Sequence, residues 1–384
     1  MASLIRPDNA WALWAVMLGV AAFGLRAEKT RLGARLTGYI ICIAVAILLS
    51  NTAVIPASAP AYDVVWTYLV PVAIPLLLFR ADLRRILRQS GPLLVAFVIG
   101  AIGTVLGAVV AYHLVPLGDE GWKMTASFCA TYIGGSLNYV ACAEVMDLRS
   151  GDLLTAGVAA DNLLTALVML VLFALPSWKP LASRFAQREG IEDNDTVSAA
   201  AEAYWNQRPV TLVDFALSLA VAVGLCAISY GLAPWCERFT PIKSPAILIV
   251  TALVVAAATF WPNHIGRLHG GEVVGTYIMH VFFVAVGASA NVPMVLRVGP
   301  VLFLFAGVIL VVHLAVILLA GWALRLDIRE VVIASNANVG GPPTAVALAV
   351  ARRWDSLIIP SVLCGTLGYA VATFIGVAVA HWLH

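Results

Sequence analysis

The chain has 384 residues, of which 61% are hydrophobic and 11% charged, with a formal net charge of +2 and a mean hydropathy of +0.94. Soluble domains carry about 25% charged residues, so a soluble globule is excluded. A charge of +2 without a basic stripe gives no basis for a nucleic-acid partner.

Apolar runs long enough to cross about 30 Å of hydrocarbon as helices recur along the whole chain. In order they are Trp11 to Leu25, Leu36 to Asn51, Val64 to Phe79, Pro92 to Tyr112, Trp122 to Val145 and Leu153 to Leu175. Then follow Thr211 to Tyr230, Ile247 to Trp261, Val273 to Gly287, Pro300 to Leu324, Val331 to Ala351 and Leu357 to His381. The pattern predicts an all-α polytopic membrane protein of about twelve helices, embedded in a lipid bilayer. The first run lacks the basic start of a cleaved signal and is read as a retained helix. The six cysteines show no CxxC spacing and read as small packing residues.

Positive charge clusters in RAEKTRLGAR (Arg26 to Arg35) and FRADLRRILRQ (Phe79 to Gln89), whereas Asn51 to Asp63 has none. The positive-inside rule therefore places the loops after the first and third helices in the cytoplasm and the N-terminus outside. Arg84 to Gln89 belongs to an amphipathic strip suited to the interface. A bacterial inner membrane is the expected location.

One long polar stretch, residues 177–209, divides the chain into a first bundle at 1–176 and a second at 210–384. Gly134 to Ala143 (GGSLNYVACA) aligns without a gap on Gly340 to Ala349 (GGPPTAVALA), matching both glycines, a valine and two alanines. Each segment follows a long apolar span and a short charged turn. The halves read as two structural repeats, each with a discontinuous helix, at 122–147 and 330–352.

Glycine costs about 1 kcal/mol and proline about 3 inside a helix relative to alanine. Main chain released at membrane depth is tolerated only where protein or a wet cavity satisfies it. Both breaks carry groups able to do so: Thr131, Ser136 and Asn138 in the first, and Ser335, Asn336, Asn338 and Thr344 in the second. Interrupted segments at matching positions of two halves point to a transporter's binding site. The carbonyls of Gly134, Gly135, Gly340 and Gly341 join the candidate set, with half-helix N-termini suited to an anion and C-termini to a cation. Close helix packing at small residues is the competing explanation.

The next helix, 152–176, holds Asp161 followed by Asn162 well inside an apolar run. A carboxylate at a helix centre costs about 2.5 to 3.5 kcal/mol on the gentler scale, which makes it a functional candidate needing a proton or a cation as partner. His280 and His313 lie in apolar spans and read as core histidines, with proton relay as the alternative. No P-loop, HExxH or GxSxG pattern occurs, so no enzyme is expected. No cofactor is called for beyond a possible bound Na+.

The motifs TYIGGSLN, AADN and NANVGGPPTAVALA resemble those of the cation:proton antiporter and bile-acid sodium symporter superfamily. Within it, they are similar to the family catalogued as domain of unknown function 819. The resemblance implies a core domain of two helices crossing at unwound middles, a scaffold domain, inverted repeats and a homodimer. It also implies that Asp161 and Asn162 bind the ion or proton. Inversion requires an even number of crossings between two crossing helices, yet five spans lie between these two.

The resulting expectation is a secondary active transporter coupled to Na+ or H+, moving a small organic anion or amino acid by alternating access. Thr131, Asn138, Asn336 and Asn338 join Asp161 and Asn162 as candidate cation or proton ligands. Gly134, Gly135, Ser136, Ser335, Gly340, Gly341 and Thr344 are the candidate substrate contacts. The alternatives are a cation/proton antiporter without organic cargo and a non-transporting membrane sensor or scaffold.

Overall fold

In lipid the main chain must satisfy its own hydrogen bonds, and the apolar runs do so as helices. The computed structural model describes residues 3–30, 38–188, 210–239, 245–268 and 270–384. Residues 189–209, most of the expected linker, lie outside the described residues.

The first half contains α1 (Ala10–Glu28), α2 (Gly38–Asn51), α3 (Pro60–Leu78), α4 (Leu83–Gln89), α5 (Gly91–Leu114), α6 (Gly121–Gly134), α7 (Leu137–Val145) and α8 (Gly151–Ala174). The second contains α9 (Leu212–Cys236), α10 (Ala246–Phe260), α11 (Gly271–Ala288), α12 (Val292–Ala323), α13 (Ile328–Val339), α14 (Gly341–Ala351) and α15 (Ile358–Leu383). Among the described residues, eight helices are long and apolar enough to cross a membrane, and α2, α10 and α14 are shorter apolar helices. In α3, a π-helical turn at Val65–Leu69 precedes Pro71, which cannot donate a hydrogen bond.

The interrupted segments differ from the crossing helices expected of them. Each is an antiparallel hairpin that returns to the face it entered. The arms of the first are 14 and 9 residues long, and those of the second 12 and 11. At 1.5 Å per residue these arms reach about 14 to 21 Å, roughly half the hydrocarbon thickness. At the base of the first hairpin, Lys123 Nζ donates to the Asp147 carbonyl at 3.3 Å, joining the start of one arm to the end of the other. Phe128 on α6 also faces Tyr139 on α7 edge to face, with ring centroids 5.7 Å apart.

The hairpins enter from opposite faces. Helix α8 begins just after the first hairpin's base and crosses. At its far end the Arg352 guanidinium, at the base of the second hairpin, meets the Phe173 carbonyl and the Ser177 hydroxyl. Among the described residues, five apolar helices of 15 residues or more, α8 to α12, separate the hairpins in sequence. An odd number of crossings is what opposite entry demands once neither broken segment crosses, which removes the conflict in the sequence count. The second hairpin's face also bears the Phe79–Gln89 basic cluster, the face that the positive-inside rule expects in the cytoplasm.

Two packing groups follow from the helix contacts. Helices α5 to α8 and α12 to α15 surround the hairpins, while α1 to α3 and α9 to α11 pack mainly with one another. Glycines on α15 let both hairpins approach it closely. A Cβ at Gly368 would lie 2.6 Å from the Ile133 carbonyl oxygen, and one at Gly365 would lie 2.6 Å from Pro342 N.

Candidate functional site

The two hairpin tips meet at the middle of the molecule. Gly135 has φ +80° and Gly341 φ +79°, conformations that favour glycine. A Cβ on Gly135 would lie 3.4 Å from Gly341 Cα, so main chain packs against main chain there. At this point the C-terminal ends of α6 and α13 and the N-terminal ends of α7 and α14 come together. Carbonyls and N–H groups of half-helices are therefore concentrated at membrane depth.

Asp161 is the ionisable side chain at this junction, 1% exposed. Ser136 Oγ, at the first tip, donates to Asp161 Oδ2 at 2.7 Å, and Thr165 Oγ1 donates to Oδ1 at 3.1 Å. The Tyr132 hydroxyl is buried beside this carboxylate. Of the expected acid–asparagine pair, Asp161 reaches the tip. Asn162 turns its amide back to the Val158 carbonyl on its own helix, at 2.8 Å.

The remaining asparagines bind main chain. Asn138 Nδ2 donates to the Gly134 carbonyl at 2.9 Å while its Oδ1 accepts from Thr373 Oγ1 on α15, also at 2.9 Å. Asn336 Nδ2 donates to the Thr344 carbonyl at 3.3 Å, across the second hairpin, and Thr344 Oγ1 donates to the Gly341 carbonyl at 3.1 Å. Asn338 is fully buried, and its amide, turned to suit its surroundings, donates to the Phe97 and Ala334 carbonyls at 3.2 and 3.1 Å. Among the described residues, the buried oxygens left without a partner include Thr131 Oγ1 on the first hairpin and Asn336 Oδ1 on the second. Each lies about one helical turn before its tip.

Ser335 serves a different purpose from the expected substrate contact. Its Oγ donates to His313 Nε2 at 2.9 Å, and His313 Nδ1 donates to the Gly100 carbonyl, also at 2.9 Å. This assignment of the tautomer follows from the hydrogen-bond network. It makes His313 a neutral tie between α12, α5 and the second hairpin. Reasoning from sequence missed Tyr132, Thr165, Thr373 and this role of His313. Thr165 was accessible in principle, since it stands one turn from Asp161 on the same face.

The family model described as "Protein of unknown function (DUF819)" matches residues 15–384. The chain belongs to this family. A relative described as "Uncharacterized membrane protein YjcL", from Bacillus subtilis (strain 168), is 34% identical over 395 residues, covering 100% of this chain and 99% of its own length. With the apolar spans described above, this makes the DUF819 chain an integral, multi-pass membrane protein.

Proposed function

We propose that this DUF819 protein is a secondary active transporter for a small organic anion or amino acid, driven by Na+ or H+ through alternating access. The observation that carries the reading is the meeting of two re-entrant hairpins, entered from opposite faces, at a buried carboxylate. Irregular main chain at that depth belongs where protein encloses a site or water reaches it. Asp161, held by Ser136 and Thr165, is the coupling group, accepting a proton or standing beside a cation. The unpartnered Thr131 and Asn336 oxygens and the carbonyl ends of α6 and α13 are oxygen donors of the kind Na+ takes. The N-terminal end of α7 offers N–H groups to an anionic cargo, whereas α14 has Pro342 and Pro343 in its first turn and lacks those donors.

Under this reading the halves on either side of 177–209 are inverted repeats, each supplying three scaffold helices, then a helix, a hairpin and a helix of the core. The core group moves against the scaffold group. The hairpin geometry replaces the crossed, unwound helices that the sequence resemblance implies, so the reading stands on the tips and Asp161 alone.

Thermal unfolding of purified protein tests it, with Na+ titrated against choline at constant ionic strength and several pH values, for wild type and Asp161→Asn. A ligand bound only by the folded state raises stability by RT ln(1 + [L]/Kd). The expected result is a saturable Na+ shift, or a pH-dependent one, in the wild type and neither in Asp161→Asn. Identical behaviour of the two proteins under all conditions sinks the proposal.

A further inference from the structure

The two histidines buried in apolar spans are bonded differently. His313 has both ring nitrogens engaged, whereas His280 on α11, 2% exposed, has only one. Its Nδ1 lies 2.8 Å from the Thr276 carbonyl. A carbonyl only accepts, so the ring proton sits on Nδ1 and Nε2 presents a lone pair. Nε2 is buried and has no hydrogen-bond partner among the described residues, an arrangement that costs free energy and calls for a donor.

What faces Nε2 is a carboxylate. Gly38, the first residue of α2, stands between the two: a Cβ there would lie 2.5 Å from His280 Nε2 and 2.8 Å from Glu28 Oε2. Both atoms thus border the space that one methyl group would fill. The Gly38 N–H donates to the Glu28 carboxylate, and among the described residues no donor stands between that carboxylate and Nε2. One proton on Nε2 turns this meeting of two acceptors into a charge-assisted N–H···O bond. The Tyr39 ring lies against the imidazole, with centroids 4.4 Å apart, and an aromatic ring suits a cation.

The other titratable groups on the helices packed around α11 are engaged elsewhere or exposed. Cys42 Sγ on α2 donates to the Val20 carbonyl at 3.6 Å, and the Tyr277 hydroxyl donates to the Leu18 carbonyl at 3.1 Å. Glu272, at the start of α11, pairs with Arg80. Asp152 and Asp161 of α8 accept from the Asn291 N–H and from Ser136 and Thr165, and Asp214 of α9 accepts from Thr211. Asp63 of α3 and Arg26 and Lys29 beside Glu28 are exposed. Arg31 and Arg35 lie outside the described residues. Glu28 is therefore the described charge that borders the ring.

We propose that Glu28 and His280 form a proton-binding site in the group of α1 to α3 and α9 to α11, separate from Asp161 and filled from the face at which α1 ends. Glu28 is exposed at the last residue of α1, beside the basic segment expected in the cytoplasm. A proton passes it and adds to the Nε2 lone pair, and no other bond breaks. The imidazolium then donates to Glu28 and ties α1 to α11 across the start of α2. Filled and empty states differ in that tie, so the stiffness of this group follows the pH on that side. The site does not rest on the transport reading.

The test is NMR of the full chain in detergent, labelled with ¹⁵N in histidine and titrated from about pH 8.5 to about pH 4.5, a range that spans imidazole titration. The His280 signal is the one lost in His280→Gln or, if that variant fails to fold, the one with cross-relaxation to the Tyr39 ring. We expect a neutral ring with its proton on Nδ1 at the alkaline end and an imidazolium at the acid end. At the wild-type midpoint, Glu28→Gln, a change at an exposed position, should lower the ratio of imidazolium to imidazole about tenfold. Asp161→Asn should leave that ratio unchanged. A ring that stays neutral throughout, a neutral ring with its proton on Nε2, or an unchanged ratio in Glu28→Gln overturns the site. A changed ratio in Asp161→Asn overturns its separateness from the hairpin tips. Na+-dependent stability is read in its own experiment, so the transport reading can fail while this one stands, and the reverse.

Discussion

The two hairpins perform the same backbone move by different chemical means. The first tip is held from outside its own hairpin, by Asp161 through Ser136 and by Thr373 through Asn138. The second is stiffened by Pro342 and Pro343 immediately after its turn, packed on Gly365, and anchored one arm away by Ser335 on His313. Its base is fastened by charge. Asp327 caps α13, bonds the Arg329 guanidinium and the Arg188 N–H, and forms a capping box with Glu330. The lesson is one of division of labour. On the proposed reading, an anchor that gains a proton or a cation would make the first tip responsive, whereas prolines and a neutral histidine would make the second a fixed wall.

The comparison fails altogether if α15 is not the surface on which both hairpins rest. Gly368→Val would drive a branched side chain into Ile133 and Gly134 of the first hairpin, at a cost of about 3 kcal/mol or more. Thermal unfolding in detergent should register a large drop, with the first hairpin more open to proteolysis than the second. An unchanged melting temperature would refute the packing. The responsive-tip idea makes a sharper claim: at about 100 times Kd, the coupling ion should stabilise wild type by about 2.7 kcal/mol, and Ser136→Ala should reduce that gain. Full retention of the gain in Ser136→Ala would separate the ion from the first tip.

The fixed-wall idea is tested by Ser335→Ala, which strands the buried His313 Nε2 at a cost of about 2 kcal/mol. Here the ion-dependent increment should survive unchanged, and its loss would show that the second hairpin responds too. The smallest expected effect is at the second hairpin's base. Burial works against the charged form of Asp327, but the Arg329 guanidinium and the Arg188 and Arg329 N–H groups outweigh it and hold the carboxyl below its ordinary value. A depressed folded value stabilises fully above the unfolded carboxyl range, about 3.9, and is lost as pH falls through the lower folded value. Asp327→Ala should cost about 1 kcal/mol at neutral pH and flatten the acid limb of a stability-versus-pH curve. A limb identical to wild type would remove Asp327 from the account.

Much of this arrangement was legible in the residues. GGSLN and GGPPT announced helix breaks because Gly-Gly and Pro-Pro are costly in helices, and Asp161 stood out because an acid in an apolar run is costly too. The direction of the arms was not legible. An uninterrupted crossing helix and a hairpin of two half-length arms can have the same composition and total length, about 25 residues. The one trace in the sequence was parity: five spans between the breaks contradict inversion for crossing helices and require opposite entry for hairpins. Asn162 shows a second limit, since an amide beside an acid can turn to its own helix carbonyl, and which it does depends on rotamer and neighbours.

The sequence by itself determined that the chain lives in a bilayer, which face carries its basic loops, where two matched segments must break, and which acid lies buried beside them. These follow from local costs: the transfer of charge into lipid, the penalty of glycine and proline in a helix, and the attraction of basic residues to the cytoplasmic side. Tertiary structure alone decided that the breaks are turns, that the turns meet, and that Ser136 rather than Asn162 holds Asp161. Those outcomes depend on which surfaces touch across hundreds of residues, and Gly365 and Gly368 on α15 fix them by letting both hairpins approach one helix closely.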